Sequence, residues 1–224
     1  MVVLYHDQKK EIKYQPQMSG RDLVRRLFPE QRDDVLCMAC DAELQSLNNK
    51  IAKDTGKVIL YDIHHPLGAH CLAISTVALM LMAAEGLFPE TRISVEHSFS
   101  KGFYCEAIRP DMLPANYLDL LQRKMHTFVQ SGYEFEERVV SIEQIRDFDY
   151  KRFMVLKYSP RNTFRIYDLC GFPHWFISPL VPSAAYIKLF RMTPYDRGFV
   201  LEFPTQSSPA GSRNSPLRRT CSGS

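Results

Sequence analysis

The sequence predicts an α+β protein in two parts: a small unit, then a larger one built on an antiparallel sheet. Three observations carry this. Residues 1–63 place short β-prone runs around a single helical pattern. Helical patterns at 71–85 and 114–131 then fill the front of the second stretch. Runs such as TFRIYDLC and GFVLEF supply strands behind them, an order that suits an antiparallel α+β sheet. A chain of 224 residues with 45% hydrophobic content has the material for this.

In the first unit, VVLYHD and EIKYQPQ flank charged DQKK and read as a hairpin. Ser19 is placed to N-cap a helix carrying Leu23, Leu27 and Phe28, which stops before Pro29. VLCMACDAEL reads as one strand, LQSLNNKI as a turn-like segment and KVILYDI as a last strand. That order suggests a β-grasp-like unit of ubiquitin size over residues 1–63.

The second unit is expected over 64–205. Its helix 71–85 carries Leu72, Ile74, Val77, Leu79, Met80, Leu81 and Met82 around most of its circumference. Burying those side chains contributes roughly 14 kcal/mol of gross transfer energy, at about 2 each. A core helix covered on both faces is therefore predicted, with Gly86 just past its end. The apolar run Cys71–Ala84 is shorter than the roughly 18 residues a membrane span requires, so no membrane partner is expected. RISVEHSF and GFYCEAI read as a hairpin, and Pro114 and Gly132 bracket an amphipathic helix. Ser141 and Gln144 form a capping box for SIEQIRDF, and AAYIKLFRM reads as a strand. Residues 206–224 hold one large apolar side chain, Leu217, and are expected to be a disordered tail.

Charge narrows the partners. The net charge is +3, and Arg213, Arg218 and Arg219 lie in the tail, which leaves 25 basic against 25 acidic residues elsewhere. Bulk electrostatics thus advertises no polyanion partner. No secretory pattern follows Met1, which points to the cytoplasm, where six irregularly spaced cysteines stay reduced.

Three clusters hold side chains capable of chemistry. Cys37-Met-Ala-Cys40 sits in a strand, where positions three apart face opposite sides, so core thiols are expected there and no metal site. His64, His65, His70 and Cys71 precede the long helix. No acid lies one turn past His70, and the stretch reads as a loop and hinge around Pro66 and Gly68. Asp168-Leu-Cys170-Gly-Phe-Pro-His174 reads two ways: Cys170 and His174 as a ligand pair oriented by Asp168, or plain turn chemistry. No G-x-S-x-G, G-x-G-x-x-G or G-x-x-x-x-G-K-[ST] occurs, so no phosphate cradle is predicted.

HSFSKGFYCE (97–106), VPSAAYIKLF (181–190) and YDRGFVLEFP (195–204) together resemble bacterial uridine-kinase-like nucleoside kinases. There the stretches read roughly as hSxxxGxY, vPstGYlxxF and YxxGfxLrxP. The resemblance implies a TGS-type β-grasp domain over 1–63. It also implies a domain over 64–205 similar to the editing domain common to threonyl- and alanyl-tRNA synthetases. A P-loop kinase domain would follow, and this chain is expected to be truncated before it. ATP and Mg belong to that kinase domain, and no cofactor is expected in this chain.

The synthetase editing domain uses an H-x-x-x-H pair and a C-x-x-x-H pair. Cys170 and His174 resemble the second. Counting back from Leu87-Phe88-Pro89 puts the first at Ile74 and Ala78, where both histidines are missing. His70 lies one turn short, about 6 Å along the helix, too far to substitute. His70, Cys170 and His174 are the candidate metal ligands, and Cys170 and His174 the catalytic candidates. The expected function is a non-catalytic binding or regulatory module of a nucleoside-kinase-like protein, with a nucleoside or small molecule as ligand. The alternatives are a free-standing aminoacyl-tRNA editing-like hydrolase and an RNA-binding module with tRNA as partner.

Overall fold

The computed structural model describes residues 1–148, 154–159, 162–169 and 171–204. The expected tail and Cys170 lie outside these residues.

The first part holds β1 (Val2–Tyr5), β2 (Gln8–Glu11), α1 (Gly20–Leu27), β3 (Cys37–Cys40), β4 (Glu43–Gln45) and β5 (Lys57–Tyr61). Its sheet runs β2-β1-β5-β3-β4, with β1 and β5 parallel and the other pairs antiparallel. This is the β-grasp-like arrangement expected. Ser19 caps α1 in a capping box: its hydroxyl accepts from the Asp22 amide, and the Asp22 carboxylate accepts from the Ser19 amide. VLCMACDAEL is two strands instead of one. Asp41 and Ala42 take φ of +46° and +78° and turn the chain between β3 and β4. A two-residue hairpin turn of this kind normally advertises itself with glycine. Here the Asp41 carboxylate holds it instead, accepting from the amides of Gly56 at 3.0 Å and Lys57 at 2.8 Å.

Strand alternation gives the sheet two buried faces. Val3, Tyr5, Met38, Cys40, Val58 and Leu60 pack with Leu23, Val24 and Phe28 under α1. Leu36 and Cys37, with Leu44 and Tyr61 beside them, belong to the core of the second part. Cys37 and Cys40 thus end in different cores, as their spacing predicts. The four described cysteines, Cys37, Cys40, Cys71 and Cys105, are free and buried.

The second part contains α2 (Pro66–Leu87), β6 (Ile93–Phe99), β7 (Gly102–Ala107), α3 (Tyr117–Ser131), β8 (Glu136–Ser141) and α4 (Ile142–Phe148). The strands β9 (Thr163–Leu169), β10 (Phe172–Trp175), β11 (Arg191–Tyr195) and β12 (Gly198–Glu202) complete it. Two antiparallel sheets result, β11-β12-β7-β6 and β10-β9-β8. The α+β class holds, with two sheets where one was expected. β8 went unread because its burial pattern does not alternate. AAYIKLFRM opens as a short 3-10 turn at Ala184–Tyr186, and β11 starts only at Arg191. The Ser141–Gln144 capping box forms as read, and Gly132 closes α3 at φ +64°.

Helix α2 packs against α3, β3 and β9. By length and composition it could cross a membrane, but 72% of its apolar window is buried inside the protein. It begins at Pro66, five residues before the expected start, and runs through Gly86. Pro66 is its first residue, and His65 caps it, with Nδ1 accepting from the Leu67 amide at 3.2 Å. Pro66 and Gly68 are therefore first-turn residues, not a hinge. Gly68 is required by contact, since a Cβ there would lie 1.9 Å from the Asp62 carbonyl oxygen. Gly86 meets nothing within 4 Å. Gly68→Ala should accordingly destabilise the protein by about 1–3 kcal/mol or more. Gly86→Ala, in open space within the same helix, should be neutral or stabilise by up to about 1 kcal/mol. Urea midpoints of the two variants check both.

Candidate acid–base site at the end of helix α2

The hairpin β9–β10 carries the Asp168–His174 motif. Leu169 pairs with Phe172 and Pro173 with Asp168, so Phe172 and Pro173 are strand residues, not turn residues. Gly171 takes φ +91° in the turn itself. Asp168 does not orient His174. Its carboxylate accepts from the Gly171 amide at 2.6 Å and from Arg138 of β8 at 2.7 Å, tying the hairpin to the next strand.

His174 points to α2 and meets a residue the sequence reading treated only as the end of an apolar run. Its Nε2 lies 2.9 and 3.0 Å from the two carboxylate oxygens of Glu85. A carboxylate only accepts, so Nε2 carries the proton and donates. Nδ1 is the ring nitrogen that does not face Glu85. The Phe176 ring stacks on the imidazole at 6.1 Å and 19°. The two side chains are 24% and 19% exposed, so the pair is only partly shielded from water. The carboxylate–imidazole arrangement is that of an oriented acid–base pair.

The other predicted residues do not join it. Ile74 is half-buried and Ala78 fully buried in the core, so that face of α2 is apolar where the editing pattern has histidines. His70 is exposed in the first turn of α2, fifteen residues before Glu85 and thus roughly 22 Å away along the axis. Cys170 falls outside the described residues. Among the described residues, no group of three or more histidine, cysteine or acidic side chains is placed to hold a metal. Burial, then the charges of Asp41 and Glu43, push the Cys40 thiol up to about 11. Burial, then Glu96, pushes Cys105 up to about 12.

The histidines before α2 build a different structure. The side chain of Asp62 is 6% exposed. It accepts from Tyr5 Oη at 3.1 Å and the His64 amide at 2.9 Å, and contacts His6 Nε2 at 2.6 Å. His6 lies in the β1–β2 turn at φ +49°. Its distance in sequence from Asp62 left no local signal. Burial opposes the Asp62 charge, but the bonds from His6, the His64 amide and Tyr5 outweigh it, and the carboxyl lies below its usual range.

Comparison with known proteins follows the same outline. No family model matches the chain. The threonine–tRNA ligase of Anaplasma marginale (strain St. Maries) is 24% identical over 188 residues, 79% of this chain and 28% of the ligase. That of Ehrlichia canis is 24% identical over 206 residues, 86% of this chain and 31% of the ligase. That of Carboxydothermus hydrogenoformans is 25% identical over 187 residues, 78% and 28%. This chain is distantly homologous to threonine–tRNA ligases. It spans under a third of the length of these relatives. With the observed α+β architecture, the homology supports a domain like that common to threonyl- and alanyl-tRNA synthetases. The kinase part of the resemblance rests on its three short motifs alone.

The depressed carboxyl of Asp62 gives a pH signature. A group held below its unfolded value, about 3.9, adds stability above that value and loses it as pH falls through the folded one. Asp62→Asn should therefore cost about 1–3 kcal/mol at neutral pH and flatten part of the acid loss of stability. Urea midpoints between neutral pH and strong acid check the difference.

Proposed function

We propose that this chain is a binding module of the tRNA-synthetase type, engaging tRNA without hydrolysing its ester. The homology to threonine–tRNA ligases supports the partner, since the alignments take in 79% and 86% of the chain. The observation that carries the non-catalytic reading is the apolar face of α2, with Ile74 half-buried and Ala78 buried where a second histidine pair would stand. His174 and Glu85 alone supply one base and its orienting carboxylate. They supply nothing to hold a water or to stabilise the oxyanion of a cleaved ester.

The Glu85–His174 contact favours one second reading, an editing-like hydrolase with His174 Nδ1 as its base and Cys170 as the other catalytic candidate. A third, the module of a nucleoside-kinase-like protein, rests only on the three resembling stretches, two of which pair in one sheet. Residues 97–106 form the β6–β7 hairpin, and 195–204 lay β12 against β7. A G-x-x-x-x-G-K-[ST] encoded downstream of codon 204 would support that reading, and its absence from every frame there would end it.

The main reading is tested with threonine tRNA, uncharged or mischarged with serine. Filter binding should show a complex that weakens about tenfold or more between roughly 50 and 200 mM salt, as two or more phosphate contacts require. The serine ester should decay no faster than without protein. Absence of binding at low salt would refute the module. Ester hydrolysis lost in both His174→Ala and Cys170→Ala would establish the hydrolase in its place.

A further inference from the structure

A cleft of about 650 Å³ opens between β9 and the segment that follows β10. This volume falls in the range of small-ligand sites. Phe164, Trp175 and Phe176 line it with aromatic surface, and Arg165, Glu43 and Asn162 line it with polar groups. Its walls are held in place. Phe176 is stacked on His174, and its ring centre lies 6.1 Å from that of buried Tyr167. Arg165 is fixed by Glu43 at 2.5 Å, the Leu44 carbonyl at 3.0 Å and Glu137 at 3.3 Å. Tyr167 donates to Glu137 at 2.7 Å and accepts from the Leu180 amide at 3.0 Å. At the mouth, Val139 and Ile177 are 65% and 86% exposed, apolar surface uncovered beside a preformed recess.

We propose that this cleft binds a nucleobase, carried either by a free nucleoside or nucleotide or by an unpaired RNA end. An alkyl ligand would fill the ring-lined part but strip water from Arg165, Glu43 and Asn162 without replacing its hydrogen bonds. A bare phosphate would pair with Arg165 and leave the aromatic wall unused, against the charge of Glu43. A planar heterocycle meets both demands. It stacks on aromatic faces, and its edge presents donors and acceptors together, which an amide such as Asn162 and the Arg165–Glu43 pair can match. The cleft lies along β9 from the Glu85–His174 pair, with Phe176 contributing to both. The inference goes beyond the tRNA reading and does not require it, since a nucleoside alone would satisfy the cleft.

The protein reports on this cleft by itself, because Trp175 is its only tryptophan. Tryptophan fluorescence, excited on the red edge to avoid base absorption, is followed during titration of the full chain. The probes are adenosine, cytidine, uridine, a single-stranded hexaribonucleotide and ribose 5-phosphate. At least one base-bearing probe should quench saturably, and ribose 5-phosphate should not. Val139→Glu, at an exposed strand position lining the cleft, should weaken that binding about tenfold or more with the far-UV circular dichroism unchanged. Tighter binding of the nucleosides identifies the free ligand as the source, and tighter binding of the oligomer identifies an RNA end. Absence of saturable quenching at millimolar concentrations of every base-bearing probe overturns the proposal. So does quenching that Val139→Glu leaves unchanged, or equal quenching by ribose 5-phosphate. Nucleoside quenching by a protein that does not bind tRNA would reject the tRNA module and leave the cleft standing.

Discussion

The burial of helix α2 is the constraint on which the rest of the molecule depends. Thirteen of its residues are buried, and its neighbours α3, β3 and β9 come from three separate stretches of sequence. Because the helix is apolar nearly all round, each side must be covered, and covering it draws the β-grasp-like sheet and the β10-β9-β8 sheet onto one element. The first part reaches it through Leu36 and Cys37, on the face of its sheet away from α1. A rim of polar contacts accompanies this apolar seam: Asn48 donates to the Pro182 carbonyl at 2.9 Å, Asn49 to Glu137 at 3.1 Å, and Arg21 pairs with Glu134 at 2.7 Å. These contacts add geometric definition; the removal of apolar area from water supplies most of the attraction.

Both ends of this helix place a carboxylate against a histidine, with different consequences. Asp62, just before it, is buried and saturated with donors, and a neighbouring Cβ at position 68 would collide with its carbonyl. That end is a joint. Glu85, near the other end, holds His174 through Nε2 in a partly exposed setting, so the second ring nitrogen faces away from this carboxylate. That end has spare chemistry. The same two residue types act as a structural lock or as a poised acid–base pair according to burial and to how many of their hydrogen-bonding sites are already used.

The stretches that resemble nucleoside kinases are explained largely by packing. A Cβ at Gly102 would lie 2.1 Å from the Leu201 carbonyl oxygen, and one at Gly198 would lie 2.0 Å from that of Cys105. Both glycines belong to the quoted motifs, and both let β7 and β12 approach closely in their sheet. Such residues mark a fold and carry no catalytic information. The homology to threonine–tRNA ligases likewise supports the architecture.

Local chemistry made much of this legible. The Ser19 cap, the all-round apolar helix, the opposed Cys37 and Cys40 and the β-grasp-like order follow from spacing and residue type, because each is decided within a few neighbouring residues. Where a local cue was missing, reading failed: Asp41-Ala42 turns without glycine because a carboxylate supports it from Gly56 and Lys57. The site was less legible still. Cys170-Gly-Phe-Pro-His174 marked His174, but its partner Glu85 looked like the end of a hydrophobic run, and His6 had no visible link to Asp62. The sequence by itself determined most of the elements and the α+β class, and it singled out His174 as a candidate. Only the tertiary structure decided which carboxylate meets which imidazole, because those pairs form across 89 and 56 residues of chain and exist only once α2 is enclosed.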